Sequence, residues 1–301
     1  MASEADNPER VLSGIGLRLF AILCLASMAA LIKLVEARGA NLIETIFFRQ
    51  TCAVPLVLVF MAAGPGLGAV RTLRPWSHVT RTVVGLTGMF ANFGAITLLP
   101  LAEAQTLAFT APIFATILGA LILREPTGWH RWGAVLIGFA GVIVVARPGS
   151  GDIPLAGALV GLAAAFLVAM ISILLRQIGR TEGAYTTVFW FSALSVPPLG
   201  IAYFWHIQSH DPVTWAMLVG IGLIGGAGQL ALTAALRMAP VSVVVPMDYS
   251  GLIWATIYGY LLFGMWPNDA TWIGAPVIIG SGLYIVWREQ RLKRRHLTRS
   301  A

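Results

Sequence analysis

Charge is scarce in this sequence. Asp, Glu, Lys and Arg make up 11% of the residues, against about 25% in an ordinary soluble chain. No polar stretch is long enough for a separate soluble domain; the longest lie at residues 1–10 and 288–301. Cysteine is nearly absent. Cys24 and Cys52 both sit in apolar runs and give neither CxxC spacing nor a disulfide framework. Lysine is rarer still among the basic residues, with Lys33 and Lys293 alone, and no GxxxxGK[ST] occurs. Work driven by ATP therefore needs another subunit. No metal-ligand spacing or cofactor motif is present, so neither a metal nor a cofactor is expected.

What fills the chain instead is apolar: 57% of residues are hydrophobic and the mean hydropathy is +0.80. A bilayer-crossing helix needs about 20 mostly apolar residues. Ten such runs can be marked, at about 12–34, 41–62, 79–98, 101–123, 131–146, 154–175, 184–205, 213–236, 241–263 and 271–287. Gly64-Pro65-Gly66, Arg147-Pro148-Gly149 and Trp266-Pro267-Asn268 punctuate them. The runs are continuous, which argues against the short alternating strands of a barrel. The fold class read here is an all-α integral membrane protein of ten transmembrane helices. The first run is too long for a signal peptide and lacks a basic start, so it is expected to be retained.

Arg and Lys set the orientation. With the N-terminus inside, Arg10, Arg71, Arg74, Arg81, Arg124, Arg131, Arg176, Arg180, Arg237 and the tail residues Arg288, Arg291, Lys293, Arg294, Arg295 and Arg299 all fall inside. Only Lys33, Arg38 and Arg147 fall outside, and Arg18 is expected to snorkel from a helix start. This predicts a multi-pass protein of the inner membrane with both termini cytoplasmic. A net charge of +7 would suggest nucleic acid in a soluble protein. Here the basic tail reads as an orientation signal touching anionic lipid, so membrane lipids are expected partners and nucleic acid is not. Trp132, Trp205, Trp215, Trp266, Trp272 and Trp287 lie near run ends, as interface anchors do.

The chain also repeats itself. With a shift of 140, Pro100 meets Pro240, Ala115-Thr116 meets Ala255-Thr256, Gly119 meets Gly259 and Trp132 meets Trp272. One inserted residue later, Gly141 meets Gly282 and Arg147 meets Arg288. The organisation predicted is a tail (1–11), a five-helix repeat (12–147), a second (154–287) and a basic tail (288–301). An odd helix number inverts the second repeat, the plan of many secondary carriers, whose substrate site lies between the halves. Gly157-xxx-Gly161 and Gly222-xxx-Gly226 serve close packing within the bundle or a dimer face, leaving monomer or homodimer open.

Four charges sit wholly or partly inside apolar runs: Glu44, Arg49, Glu103 and Asp248. Such groups face a cavity or a partner. Arg49 suits a substrate carboxylate or phosphate through a forked hydrogen-bond pair; the alternative is an ion pair with Glu44 or Glu103. Glu103 and Asp248 are candidates for a cationic group or a coupling proton, with helix N-terminal compensation the alternative for Glu103. Asn92, Gln105, Trp190, Gln229, Asp248, Tyr249, Trp254 and Tyr258 form a candidate aromatic and polar pocket, with core packing the alternative for each aromatic. Pro112 and Pro246 interrupt the fourth and ninth runs, as a site-lining break or as a packing kink. His206 and Asp211 have the spacing of an acyltransferase-like pair, which keeps a membrane-embedded enzyme as a rival, though no nucleophile or metal ligand supports it. A facilitative channel is a further rival, without a visible charge ring or filter.

The run Leu99-Pro100-Leu101-Ala102-Glu103-Ala104 through Phe109-Thr110-Ala111-Pro112 to Arg124-Glu125-Pro126 resembles the fourth helix of EamA-type carriers of the drug/metabolite transporter superfamily. The second half is similar again, from Ala239-Pro240 to Pro246-Met247-Asp248-Tyr249, then Leu262-Phe263-Gly264 and Trp272-Ile273-Gly274 to Ser281-Gly282-Leu283-Tyr284. The resemblance implies two inverted EamA repeats and secondary transport of a small organic metabolite: an amino acid, S-adenosylmethionine, riboflavin or a drug-like compound. The Glu44-to-Arg49 stretch and Asp248-Tyr249 look most like the branch of S-adenosylmethionine and riboflavin carriers. The ninth helix of the family commonly ends in Phe-Gly-Glu; Met265 stands at that Glu here, while its first-half counterpart Glu125 is present.

Overall fold

Every element of the computed structural model, which describes residues 8–122, 128–147, 153–179, 181–238 and 241–299, is helical. In chain order these are α1 (Pro8–Ala37), α2 (Leu42–Ala63), α3 (Pro75–Leu98), α4 (Leu101–Ala108), α5 (Ala111–Leu121), α6 (Trp129–Ala146), α7 (Leu155–Ile178), α8 (Ala184–Phe204), α9 (Pro212–Met238), α10 (Val241–Val244), α11 (Ser250–Phe263) and α12 (Asp269–Arg299). Backbone groups in hydrocarbon have no water to bond, so they must be satisfied within each helix. Seven segments are long and apolar enough to cross a membrane on those criteria, and residues 132–146 form a shorter apolar helix. The remaining two are α3, diluted by polar residues, and the interrupted ninth run. Glu125, Arg124, Arg180, Ala239 and Pro240 lie outside the described residues. So do the side chains of Arg10, Arg131, Arg176, Arg237 and the tail beyond Arg291.

Both prolines interrupt their helices. The fourth run is α4 followed by α5, with Pro112 in the first turn of α5. The ninth is α10, a 3-10 segment Val245–Tyr249 holding Pro246, then α11. Pro112 has no N–H, so the carbonyl of Ala108 loses its ordinary donor. At the first break Thr110 tightens the turn, its N–H and Oγ1 both donating to the Leu107 carbonyl. The two breaks touch: the rings of Phe109 and Tyr249 meet edge to face at 4.9 Å.

The packing has a regular pattern. α1 packs on α9, and α7 on α3; α2 also packs on α9, and α8 on α3. α1 meets α11 as α7 meets α4 and α5. α2 with α8, α4 with α11, and α6 with α12 are the other large contacts. Exchanging the first five spans for the second five maps these larger contacts onto one another, while smaller ones such as α1–α3 and α5–α12 have no counterpart of like extent. The α6–α12 contact is a backbone approach, because a Cβ on Gly274 would lie 2.7 Å from the Gly141 carbonyl oxygen. Gly157 and Gly161 face Leu99 and Leu107, and Gly222 and Gly226 face α2, so both small-residue pairs serve packing within the chain. Val59, Phe60, Leu136, Ile137, Ile253 and Leu261 stand exposed around the bundle, as a lipid-facing belt requires.

Polar caps close one end. Asn41 caps α2 through the Glu44 N–H and donates to the His206 carbonyl at 3.1 Å. Lys33 Nζ donates to the carbonyls of Ile96 and Leu99 at 3.1 and 2.7 Å, placing a cation at the C-terminus of α3.

Candidate functional site

A cavity of about 230 Å³ opens between α1, α3, α4, α7 and α11. Its walls include Ile22 and Leu25 of α1, Asn92 of α3, Ala104 and Gln105 of α4, and Gly251 of α11. Both halves contribute, and Ala108, with its released carbonyl, lies on the wall. The lining is apolar apart from Asn92 and Gln105. Among the described residues neither amide side chain has a hydrogen-bond partner, so both are free to bond a guest. A few placed polar groups in an apolar cleft is the usual build of a small-molecule site.

Of the other residues proposed for the pocket, Tyr249 and Trp254 sit beyond this wall around the ninth-helix break. Tyr249 packs on Phe109, and Trp254 lies 6.4 Å from the Tyr258 ring. Tyr258 shares a 2.8 Å hydrogen bond with Ser27 of α1. Gln229 is partly buried in α9. Trp190 points elsewhere: its indole N–H donates to the Val70 carbonyl at 2.8 Å, and it stacks 6.1 Å from His78.

The intramembrane charges pair differently from the expectation. Arg18 does not snorkel. It is buried and grips Asp248 with two hydrogen bonds, Nε to Oδ1 at 2.6 Å and Nη2 to Oδ2 at 2.5 Å. A bidentate partner satisfies the guanidinium better than a stretched path to the interface. Arg49 pairs with neither Glu44 nor Glu103; Glu44 Oε2 lies instead 2.8 Å from His210 Nε2. The His210 side chain, in the loop before α9, is therefore covered over the start of α2. Glu103 accepts from Asn268 N and Thr271 Oγ1, both at 3.1 Å, at the start of α12. His206 bonds the Ala202 carbonyl, while Asp211 caps α9 through Val213 and Thr214. No acid–base pair results. The hydrogen bond from Thr214, first among its causes, holds the Asp211 carboxyl below the usual range, helped by the Val213 and Thr214 N–H groups and by Arg38.

Two arginines have no carboxylate at all among the described residues. Arg49 donates to Gln50 Oε1 at 2.5 Å, leaving Nε unpartnered. Arg81 lies over the Phe191 ring at 3.7 Å, with Nε and Nη1 unpartnered.

Comparison with known proteins decides the family. The EamA-like transporter family matches twice, over residues 12–147 and 155–287. The chain belongs to the EamA-like transporter family. A riboflavin transporter of Rhizobium johnstonii is 31% identical over 231 residues, 76% of each chain. An S-adenosylmethionine uptake transporter of Rickettsia felis is 27% identical over 294 residues, 97% of this chain and 98% of the relative. A solved crystal structure that is 20% identical superposes with a TM-score of 0.60, covering 95% of this chain and 99% of its own, which shows the shared fold. This EamA-family protein is a multi-pass membrane transporter and not an enzyme, so the His206/Asp211 reading falls.

Proposed function

We propose that this protein is a secondary carrier that moves a small organic metabolite across a bacterial inner membrane by alternating access. The observation that carries the reading is the cavity between α1, α3, α4, α7 and α11, walled by both halves and open to the two unpartnered amides, Asn92 and Gln105. The exchange pattern of helix contacts supports two inverted five-helix repeats rocking about that cavity. Both termini are cytoplasmic on this reading, by the arginine distribution. Riboflavin and S-adenosylmethionine, the cargoes named for the relatives, lead the substrate candidates, ahead of amino acids and drug-like compounds.

Asn92 and Gln105 orient the cargo, with Arg49 and Gln229 on the neighbouring α2 and α9 and with Tyr249 and Trp254 behind the cavity wall; Trp190, bonded to the Val70 carbonyl, takes no part. The Arg18–Asp248 pair joins α1 to the break in the ninth span. Protonating Asp248 would release that tie, which makes it the coupling group; Glu44 and Glu103 hold structural pairs. The test is flux of a metabolite panel into proteoliposomes, with and without a pH gradient. Saturable flux, accelerated by the gradient and slowed in Asp248→Asn, is the expected result. Flux linear in concentration would favour a channel. Saturable flux indifferent to the gradient would remove proton coupling.

A further inference from the structure

The two unmatched arginines lie on touching helices inside the bundle. Arg49 is on α2 and Arg81 on α3, and the two guanidiniums are near enough to repel each other. Both residues are at least nine-tenths buried. Each begins about 10 Å inside its helix, at 1.5 Å per residue. Gln50 bonds Arg49, His78 and Thr82 flank Arg81 along α3, and Ser192 follows the Phe191 under it; all four are buried, with Gln50 Nε2, both His78 nitrogens, Thr82 Oγ1 and Ser192 Oγ lacking a hydrogen-bond partner. One carboxylate, Glu182, approaches this cluster beside His78. It lies 4.0 Å from His78, and one of its oxygens is already committed to Thr72 and the Leu73 N–H.

This arrangement is costly as it stands. An unpaired charge in a membrane interior needs a counter-charge, and a second like charge beside it doubles the need. Unsatisfied buried donors add to the cost. Yet the space is shaped to keep the guanidinium there. A Cβ on Gly85 would meet Arg81 Nη1 at 2.6 Å and the Phe191 ring at 2.7 Å. Donors and positive charge converge, with no acceptor among them able to neutralise both cations.

We infer that Arg49 and Arg81, with Gln50, Thr82 and Ser192, form an oxyanion-binding chamber for a carboxylate or phosphate group carried by the cargo. The chamber adjoins the central cavity. A Cβ on Gly225 would touch Met28 at 2.4 Å and lie 3.6 Å from Arg49 Nε, and Met28 lines the cavity. A cargo with an apolar body in the cavity and an anionic end among the arginines spans both. The inference rests on the carrier reading and narrows its substrate class to anions or zwitterions. Two arginines can each offer paired N–H groups to one oxyanion.

The test uses the purified full chain in detergent, with inorganic phosphate and acetate titrated against chloride at fixed ionic strength and thermal unfolding as readout. Either oxyanion is expected to raise the melting temperature saturably. Its affinity should fall at least ~10-fold in Arg49→Gln and Arg81→Gln, the loss of one charge-assisted contact. Gly85→Ala keeps both charges but displaces the Arg81 guanidinium, and should weaken binding similarly. Two probe pairs then identify the source of the anion. S-adenosylmethionine should displace phosphate while its decarboxylated form does not, or riboflavin 5′-phosphate should do so while riboflavin does not. No saturable response beyond chloride, or an equal response in Arg81→Gln, overturns the chamber. Bound phosphate that no anionic probe displaces is a resident ion and overturns the assignment to cargo. Flux lost in a cavity-filling Ala104→Phe variant but unchanged in Arg81→Gln overturns the same assignment while leaving the carrier reading standing.

Discussion

Two buried arginine sites in this protein have opposite finish. At Arg18 the guanidinium meets both oxygens of Asp248 and also reaches the Leu232 carbonyl at 3.5 Å. At Arg49 and Arg81 no carboxylate arrives among the described residues, and Gln50 Oε1 and the Phe191 ring are groups facing them. The first is a tie between α1, α9 and the broken ninth span. The second is a set of donors left open inside a low-dielectric bundle. A matched charge holds helices together; an unmatched one is tolerated where a ligand completes it.

The largest expected effect comes from the open site. Arg49→Ala and Arg81→Gln should each cut flux at least ~10-fold by removing a charge-assisted contact, while the melting temperature in the absence of cargo stays level or rises, since an uncompensated charge is gone. A large loss of stability in both would erase the contrast with Arg18. Asp248→Asn should do the reverse in the apo protein. It strands Arg18 and should cost about 1–3 kcal/mol of stability, below the several kcal/mol of a fully buried pair because Asp248 keeps some exposure. Replacing both partners, Arg18→Met with Asp248→Leu, should recover most of that loss. Unfolding in denaturant with the folded protein in detergent measures each.

Smaller effects sharpen the structural side. Lys33→Met removes the cation from the α3 C-terminus and should cost about 1 kcal/mol with flux unchanged; reduced flux at equal stability would give Lys33 a role in transport. The smallest effect concerns Asp211, whose carboxyl sits below its ordinary value chiefly through Thr214. Its folded pKa is lower than its unfolded one. The stabilisation is thus complete above the unfolded value near ~4 and is lost as pH falls through the depressed folded value. Asp211→Asn should remove that contribution, so stability falls slightly at neutral pH, stays the same below the folded value, and the acid limb flattens. An unchanged limb would mean that the Thr214 bond contributes nothing to folding.

Much of the fold was legible because membranes demand so little variety: long apolar runs and proline breaks both follow from the bilayer as solvent. Pro112 and Pro246 marked their breaks from sequence alone. Arg81 did not announce itself. With the third span expected from residue 79, it read as a helix-end cation of the positive-inside set. The helix begins at Pro75, one turn earlier, and that turn carries Arg81 into the interior. Pro75 after Arg74 was the available signal, since proline favours a first helical turn. Trp190 was grouped with Asp248 by composition, yet α8 places it beside Val70 and His78. The Arg18–Asp248 pair spans 230 residues, a contact that no local pattern encodes. His210 meets Glu44 across 166 residues, again a contact beyond local pattern.

The most direct measurement compares wild type with Ala104→Phe in proteoliposomes, using riboflavin and S-adenosylmethionine at graded concentrations. Ala104 is buried on the cavity wall, so a phenyl ring there occupies the space assigned to cargo. The account predicts saturable uptake of at least one compound by wild type and a drop of at least ~10-fold in the variant, about 1.4 kcal/mol or more of lost transition-state access, with the variant still folded and inserted. Equal saturable uptake by a folded Ala104→Phe protein would contradict it.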